Sequence, residues 1–397
     1  MDNREQLRRQ ECAARVGRFQ GELQSAGIDA ALIVNGADMF YFAGTAQNAH
    51  LFIPAVGAPL LMVKREFGRA RADAAIEDVV PIRSFKEIPV LIRERGHATP
   101  ARLGLEFDVL SVATYLYYQR LFPEAQMVDC WGIIRKLRTI KSEFELEALI
   151  KAGRQMDAAF SRIPELLEEG ATEVELAGRF EAAARALGHQ GMVRWRGSDV
   201  GVWWGGLLTG VNSTIPGFFD GVCAGPGLDP SFSFGPSFKR LAAGEPVLVD
   251  YAGVFGGYTV DCSRIFVIGS LPAEMERAQE VALSIQDAVL RECVPGVVLG
   301  HLYDFARRMA EEAGLGRHFM GYDHQVRFIG HGVGLELNEM PLLAQGVEGT
   351  LEVGMVLALE PKFVFPGQGM VGIENTVAVT AQGVQRLTNY PDAICRV

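Results

Sequence analysis

The stretch from Val247 to Val267 constrains the fold more than any other. Val247, Leu248, Val249, Tyr251, Val254 and Phe255 precede Gly256 and Gly257; Tyr258, Val260, Ile265, Phe266 and Val267 follow them. Two apolar runs joined by two glycines predict a hairpin with a two-residue turn. That turn sets position 252 opposite 261 and position 250 opposite 263. Side chains alternate along a strand, so Asp250 and Asp261 come to one face, diagonally related and roughly 7–8 Å apart at Cα. Two acids on a solvent-facing hairpin would need no explanation. The flanking residues make this a core hairpin instead, where a carboxylate is costly unless it is paired or bound to a metal.

Two more acids sit in apolar strand-like runs. Glu360 follows Leu357, Ala358 and Leu359, and Glu374 follows Val371, Gly372 and Ile373. They face each other only if the loop around Pro366–Gly369 has an odd number of residues; a two-residue loop would turn them to opposite faces. His331 lies between Gly330 and Gly332, which permit close backbone approach. A lone histidine is more often a structural hydrogen bonder than a ligand, but beside four buried acids it becomes the natural nitrogen donor. Four carboxylates and an imidazole form a hard, mostly oxygen set suited to Mn²⁺, Fe²⁺, Co²⁺ or Zn²⁺. Two aspartates at this diagonal can hold a pair of ions, which together can acidify a water and polarise a carbonyl.

Other functions are disfavoured. The net charge of −10 argues against nucleic acid as the main partner. Arg194, Trp195 and Arg196 are too short a basic-aromatic stretch to change that, and Trp203 with Trp204 reads as core or pocket wall. No apolar run approaches a membrane span and the N-terminal residues are charged, so a cytoplasmic protein is expected. Six scattered cysteines without a C-x-x-C spacing read as reduced thiols. Gly367, Gly369 and Gly372 match G-x-G-x-x-G but lie between strands and open no helix, so they do not form a dinucleotide site.

Along the chain, a helix is predicted over 4–24 with Gly27 as its stop, followed by a buried strand over 30–34 and α/β alternation to about 130. Ser142 with Glu145, and Thr172 with Glu175, are capping boxes opening two helices. After the Asp250 hairpin come helices over about 272–293 and 300–314, then strand-like runs at 326–338, 355–365 and 371–380. The class is therefore mixed α/β (α+β), with domains at 1–134 and 135–397. The repeated helix–helix–strand–strand order implies a pseudo-symmetric second domain whose site lies where its two halves meet.

At these residues the chain resembles the creatinase/prolidase/methionine aminopeptidase superfamily, the pita-bread fold. The resemblance rests on Asp250 and Asp261, glycine-flanked His331, Glu360 before Pro361, and Glu374 between Ile373 and Asn375. The stretch from Leu137 to Ser142 is also similar to the start of the family's catalytic domain. The resemblance implies a creatinase-type N-terminal domain, a pita-bread catalytic domain and a homodimer. It implies two divalent ions, Mn²⁺ first and Co²⁺, Fe²⁺ or Zn²⁺ as alternatives. Asp250 would bind one ion, Asp261 and Glu374 would bridge both, and His331 and Glu360 would bind the other, with Glu360 also shuttling protons. The implied activity is cleavage of Xaa-Pro bonds in small peptides, as in Xaa-Pro dipeptidases and aminopeptidase P.

Three positions depart from the family's peptidases. Asn338 stands where a second histidine is usual, Gly217 follows the Asn212–Pro216 stretch where another is expected, and Gly372 replaces an arginine found in proline-specific members. Asn338 can hydrogen-bond a substrate but cannot donate a proton as imidazolium does. These departures keep two alternatives open: hydrolysis of another small amide or amidine, as by creatinase and ectoine hydrolase, and a non-catalytic peptide-binding module. Retention of all five ligands weighs against the module.

Overall fold

The structure, a computed structural model, describes residues 3–197, 204–219 and 221–397; Trp203 lies outside them. The chain forms two compact units. One runs to Arg138 and includes Arg196 and Gly197; the other begins at Thr139.

The first unit is built on a six-stranded sheet: β1 (Ala30–Ile33), β2 (Ala49–Pro54), β3 (Leu60–Val63), β4 (Asp78–Pro81), β5 (Arg102–Leu105) and β6 (Gln126–Asp129), ordered β4-β3-β2-β1-β5-β6. Helix α1 (Asn3–Ser25) buries Phe19 and Leu23, and the chain leaves it through Gly27 at φ 63°, a left-handed conformation that glycine adopts without strain. The central strand β1 is buried along its length, as its Ala-Ala-Leu-Ile composition demands.

The second unit carries the hairpin. Helix α2 (Glu143–Phe160) and helix α3 (Glu173–Ala186) open with the predicted capping boxes, Ser142 with Glu145 and Thr172 with Glu175. Then come β7 (Gly205–Thr209), β8 (Val247–Phe255) and β9 (Tyr258–Val267). Helices α4 (Ala273–Glu292) and α5 (Leu299–Glu312) follow, with Pro272 capping the first of them. The remaining strands that frame the site are β10 (Phe328–Gly332), β11 (Glu339–Ala344), β12 (Val356–Leu359), β13 (Lys362–Phe365), β14 (Gly369–Gly372), β15 (Asn375–Thr380) and β16 (Gly383–Arg386). The expected strand over 355–365 is interrupted at Glu360 and Pro361, and the one over 371–380 at Ile373 and Glu374. At both breaks an acid of the site replaces regular pairing.

Leu248 and Ile265 of the hairpin pack in one core with Met275, Ala282 and Ile285 of α4 and Leu302 of α5. Burial of each leucine or isoleucine contributes roughly 2 kcal/mol relative to exposure. The same core takes in Leu357, Leu359, Ile373 and Val377, so the strands bearing the acids are anchored by the residues between them. Among the described residues no helix is long and apolar enough to cross a membrane. All six cysteines are free thiols.

Candidate metal centre

The hairpin has the predicted register. Ala252 pairs with Asp261, Asp250 with Ser263, and Phe255 with Tyr258 across the turn. Gly256 and Gly257 have φ 61° and 90°, the left-handed values that both central residues of a type I′ turn require. Asp250 and Asp261 therefore share a face.

The second pair depended on loop parity, and the loop is odd. Lys362 pairs with Gly372 and Phe365 with Gly369, leaving Pro366, Gly367 and Gln368 as a three-residue connection. The ladder continues as Ile373 N donates to Pro361 O at 3.2 Å, which sets Glu360 across from Glu374. Glu374 also pairs with Ser263 through reciprocal backbone bonds of 3.3 and 3.2 Å. One row thus crosses from β8 through β9 to the second half of the unit, carrying Asp250, Ser263, Glu374 and Glu360. His331 pairs with Ala358 on the next strand, two residues before Glu360 and on the same face.

The side chains converge. His331 Nε2 lies 3.9 Å from Asp261 Oδ2, 3.9 Å from Glu360 Oε1 and 4.0 Å from Glu374 Oε1. Asp261, His331 and Glu374 each offer one donor atom, all within 4.8 Å of one another. The Gly332 carbonyl sits 3.1 Å from His331 Nδ1 and can only accept. The neutral ring therefore carries its proton on Nδ1 and aims the Nε2 lone pair at the three carboxylates. Lone pairs facing one another without a hydrogen between them repel; a cation among them removes the conflict. That donor set fits a divalent ion held by Asp261, His331 and Glu374, with Glu360 Oε1 beside them, 3.9 Å from His331 Nε2.

Sequence reasoning missed Lys362. It is buried, and its Nζ donates to Asp250 Oδ2 at 2.8 Å, Glu360 Oε2 at 2.7 Å and Glu374 Oε2 at 3.1 Å. The signal was present: a lysine inside an apolar strand, two residues after Glu360, must point to the face that Glu360 occupies. Burial alone would lower its pKa, but the charges of Asp250, Glu360 and Glu374 hold it well above the usual lysine value. One ammonium does not neutralise four carboxylates. Burial, and then the charge of Asp250, push Asp261 up to about 8; burial and the charge of Asp261 push Glu374 well above the ordinary range. Without a further cation, part of the cluster keeps its protons at neutral pH.

Asn338 is exposed, on the bend between β10 and β11. Asn212 is buried and donates to Glu173 Oε2 and Ser237 Oγ, each at 2.8 Å, which makes it a brace for the chain before β8.

Comparison with known proteins agrees with this geometry. The sequence model of metallopeptidase family M24 matches residues 147–381, and that of the Creatinase/Prolidase N-terminal domain matches residues 15–140. The chain is 27% identical to an Xaa-Pro dipeptidase of Pyrococcus furiosus over 91% of its length and 93% of the relative. It is 28% identical to a probable dipeptidase, PepE, of Mycobacterium bovis, over 96% of this chain and 95% of that one. The solved prolidase of Pyrococcus horikoshii superposes with a TM-score of 0.80 at 25% identity, covering 95% of this chain and 99% of that structure. With an N-terminal domain of the creatinase/prolidase type and a candidate metal-binding face within the span that the family model matches, this chain belongs to metallopeptidase family M24.

Proposed function

We propose that this metallopeptidase hydrolyses small peptides at Xaa-Pro bonds, as an Xaa-Pro dipeptidase. The observation that carries the reading is the convergence of Asp261, His331 and Glu374 on a buried sheet face with Glu360 beside His331, in a chain whose relatives over nearly its whole length are named dipeptidases. A divalent ion at that point supplies Lewis acidity toward the scissile carbonyl and toward the attacking water. The chain's own groups do the rest. His331 is oriented by the Gly332 carbonyl. Glu360 has one oxygen toward His331 and the other on Lys362, so it is placed to take the water's proton and pass it to the leaving nitrogen. The Lys362 ammonium offsets negative charge on the row. Asn338 offers an exposed amide as a hydrogen-bonding group for substrate.

Mn²⁺ is the ion we expect to serve best, since the donors are carboxylate oxygens with a single imidazole. A homodimer working in the cytoplasm is the matching expectation. A second reading, hydrolysis of a non-peptide amide or amidine, is favoured by Asn338 and Gly217 standing where the resemblance leads one to expect histidines. The deciding assay incubates the Mn²⁺-loaded protein with Xaa-Pro dipeptides, longer Xaa-Pro peptides and non-prolyl controls and measures released amino acids. Release confined to Xaa-Pro dipeptides is expected; no release from any peptide sinks the reading in favour of the second.

A further inference from the structure

The donor set fits one ion and not two. The carboxylate oxygens of the row divide into two groups. Asp261 Oδ2, Glu360 Oε1 and Glu374 Oε1 face His331 Nε2 at 3.9–4.0 Å, and the donor atoms of Asp261, His331 and Glu374 all lie within 4.8 Å of one another, a spacing that leaves room for an ion between those three. Asp250 Oδ2, Glu360 Oε2 and Glu374 Oε2 face Lys362 Nζ at 2.7–3.1 Å. Glu360 and Glu374 each give one oxygen to either side, so two cation positions lie back to back.

In one of them the cation is the chain's own. An ammonium has three protons, and three carboxylate oxygens receive them. An ion bound by Asp250 and Glu374 on that side would compete with the Lys362 ammonium for Glu374 Oε2 and for the Asp250 carboxylate. The lysine is built in: its side chain is 4% exposed. Its ladder partner is Gly372, where an added Cβ would come within 2.7 Å of Lys362 Cα and Cγ. Glycine at 372 and lysine at 362 thus form one device, the first leaving the space that the second fills.

We propose that this chain binds a single divalent ion, between Asp261, His331 and Glu374 with Glu360 beside them, and that the Lys362 ammonium permanently holds the second cation position, beside Asp250. The inference rests on the metal-dependent reading above but not on the identity of the substrate. It makes Asp250 a partner of lysine and not a metal ligand. It also makes the positive charge on that side fixed, so it cannot be removed by a chelator.

The test is metal stoichiometry. Apo-protein is dialysed to equilibrium against Mn²⁺ over a range reaching millimolar, bound Mn²⁺ per chain is counted, and the loaded protein is examined by electron paramagnetic resonance. The wild-type chain is expected to take one Mn²⁺, with the hyperfine pattern of an isolated ion. Lys362→Met, which keeps the aliphatic stem and removes the charge, is expected to take two, with the exchange coupling of a neighbouring pair. Two coupled ions in the wild type overturn the proposal, and so does a folded Lys362→Met protein that still takes only one. If Lys362→Met does not fold, the wild-type count decides alone. Two ions with Xaa-Pro cleavage would defeat this inference and spare the substrate reading; one ion with no peptide cleavage would do the reverse.

Discussion

The chain buries two clusters of acids, and they are neutralised in opposite ways. In the N-terminal unit, Asp38 is fully buried and is held by Arg138 Nη1 at 2.6 Å and Arg196 Nη1 at 2.7 Å, while Arg196 also pairs with Asp108. Burial alone would raise Asp38, yet the two guanidinium groups keep it below the usual carboxylate range. Its neighbour Glu106 is buried too; burial and the charge of Asp38 keep its proton on, well above the ordinary value. Every negative charge there has its cation in the chain. In the catalytic unit, four carboxylates cluster around one lysine, which pairs with three of them. The first cluster is complete as folded and the second is not, so the deficit of positive charge separates a structural cluster from one that recruits an ion.

Four measurements break or sharpen that contrast. Glu374 contributes an oxygen to each cation position, so Glu374→Ala is expected to lower metal-dependent turnover by at least about 10³-fold, roughly 4 kcal/mol, with an unchanged circular dichroism spectrum. Turnover within tenfold of wild type would remove Glu374 from the site. Arg138→Met breaks the balanced cluster while Arg196 still holds Asp38. A loss of about 3 kcal/mol in urea unfolding is expected, at the low end for a broken buried pair, with Mn²⁺ uptake unaltered; a change in metal affinity instead would show that the clusters are not separable. Saturating the wild type with Mn²⁺ at a hundred times its Kd should stabilise it by about 2.7 kcal/mol, and EDTA should reverse the gain. An equal gain in Glu374→Ala would place the ion elsewhere.

Glu106→Gln should matter least. A glutamine oxygen can accept the Val34 and Asn35 amide protons that Glu106 Oε2 now takes at 2.6 and 3.0 Å, so at pH 5 the change should stay within about 1 kcal/mol. The sign of its pH dependence follows from linkage. Because the folded pKa of Glu106 is raised, its contribution is fully present below the unfolded value near 4.5 and is lost as pH rises toward the folded pKa. Glutamine has no proton to lose, so the variant should gain on the wild type between pH 5 and pH 8. Parallel stability curves across that range would mean that Glu106 is ionised in the native protein.

The two clusters also differ in how far the sequence disclosed them. The Asp250–Asp261 hairpin was legible residue by residue, because a two-glycine turn fixes register and register fixes the face. Glu360 and Glu374 were legible as candidates, but their facing depended on how many residues the loop takes, which strand patterning alone does not specify. Lys362 obeys the same period-two rule, but a lone lysine in an apolar run does not by itself disclose which carboxylates it will meet. The Asp38 cluster left no local trace: Arg138 lies 100 positions from Asp38 and Arg196 lies 158, and only the folded backbone brings them together. Local chemistry writes motifs; long-range charge balance does not.

The three-residue connection at 366–368 carries an evolutionary consequence. Pro366 and Gln368 carry no group of the site, Gly367 is held to glycine by its left-handed φ of 77°, and the length cannot change by one. A single insertion or deletion would shift β14 by one step against β13 and turn Glu374 away from Glu360. Lineages descending from this chain should therefore tolerate substitutions at Pro366 and Gln368 while gaining or losing residues in this loop only in pairs.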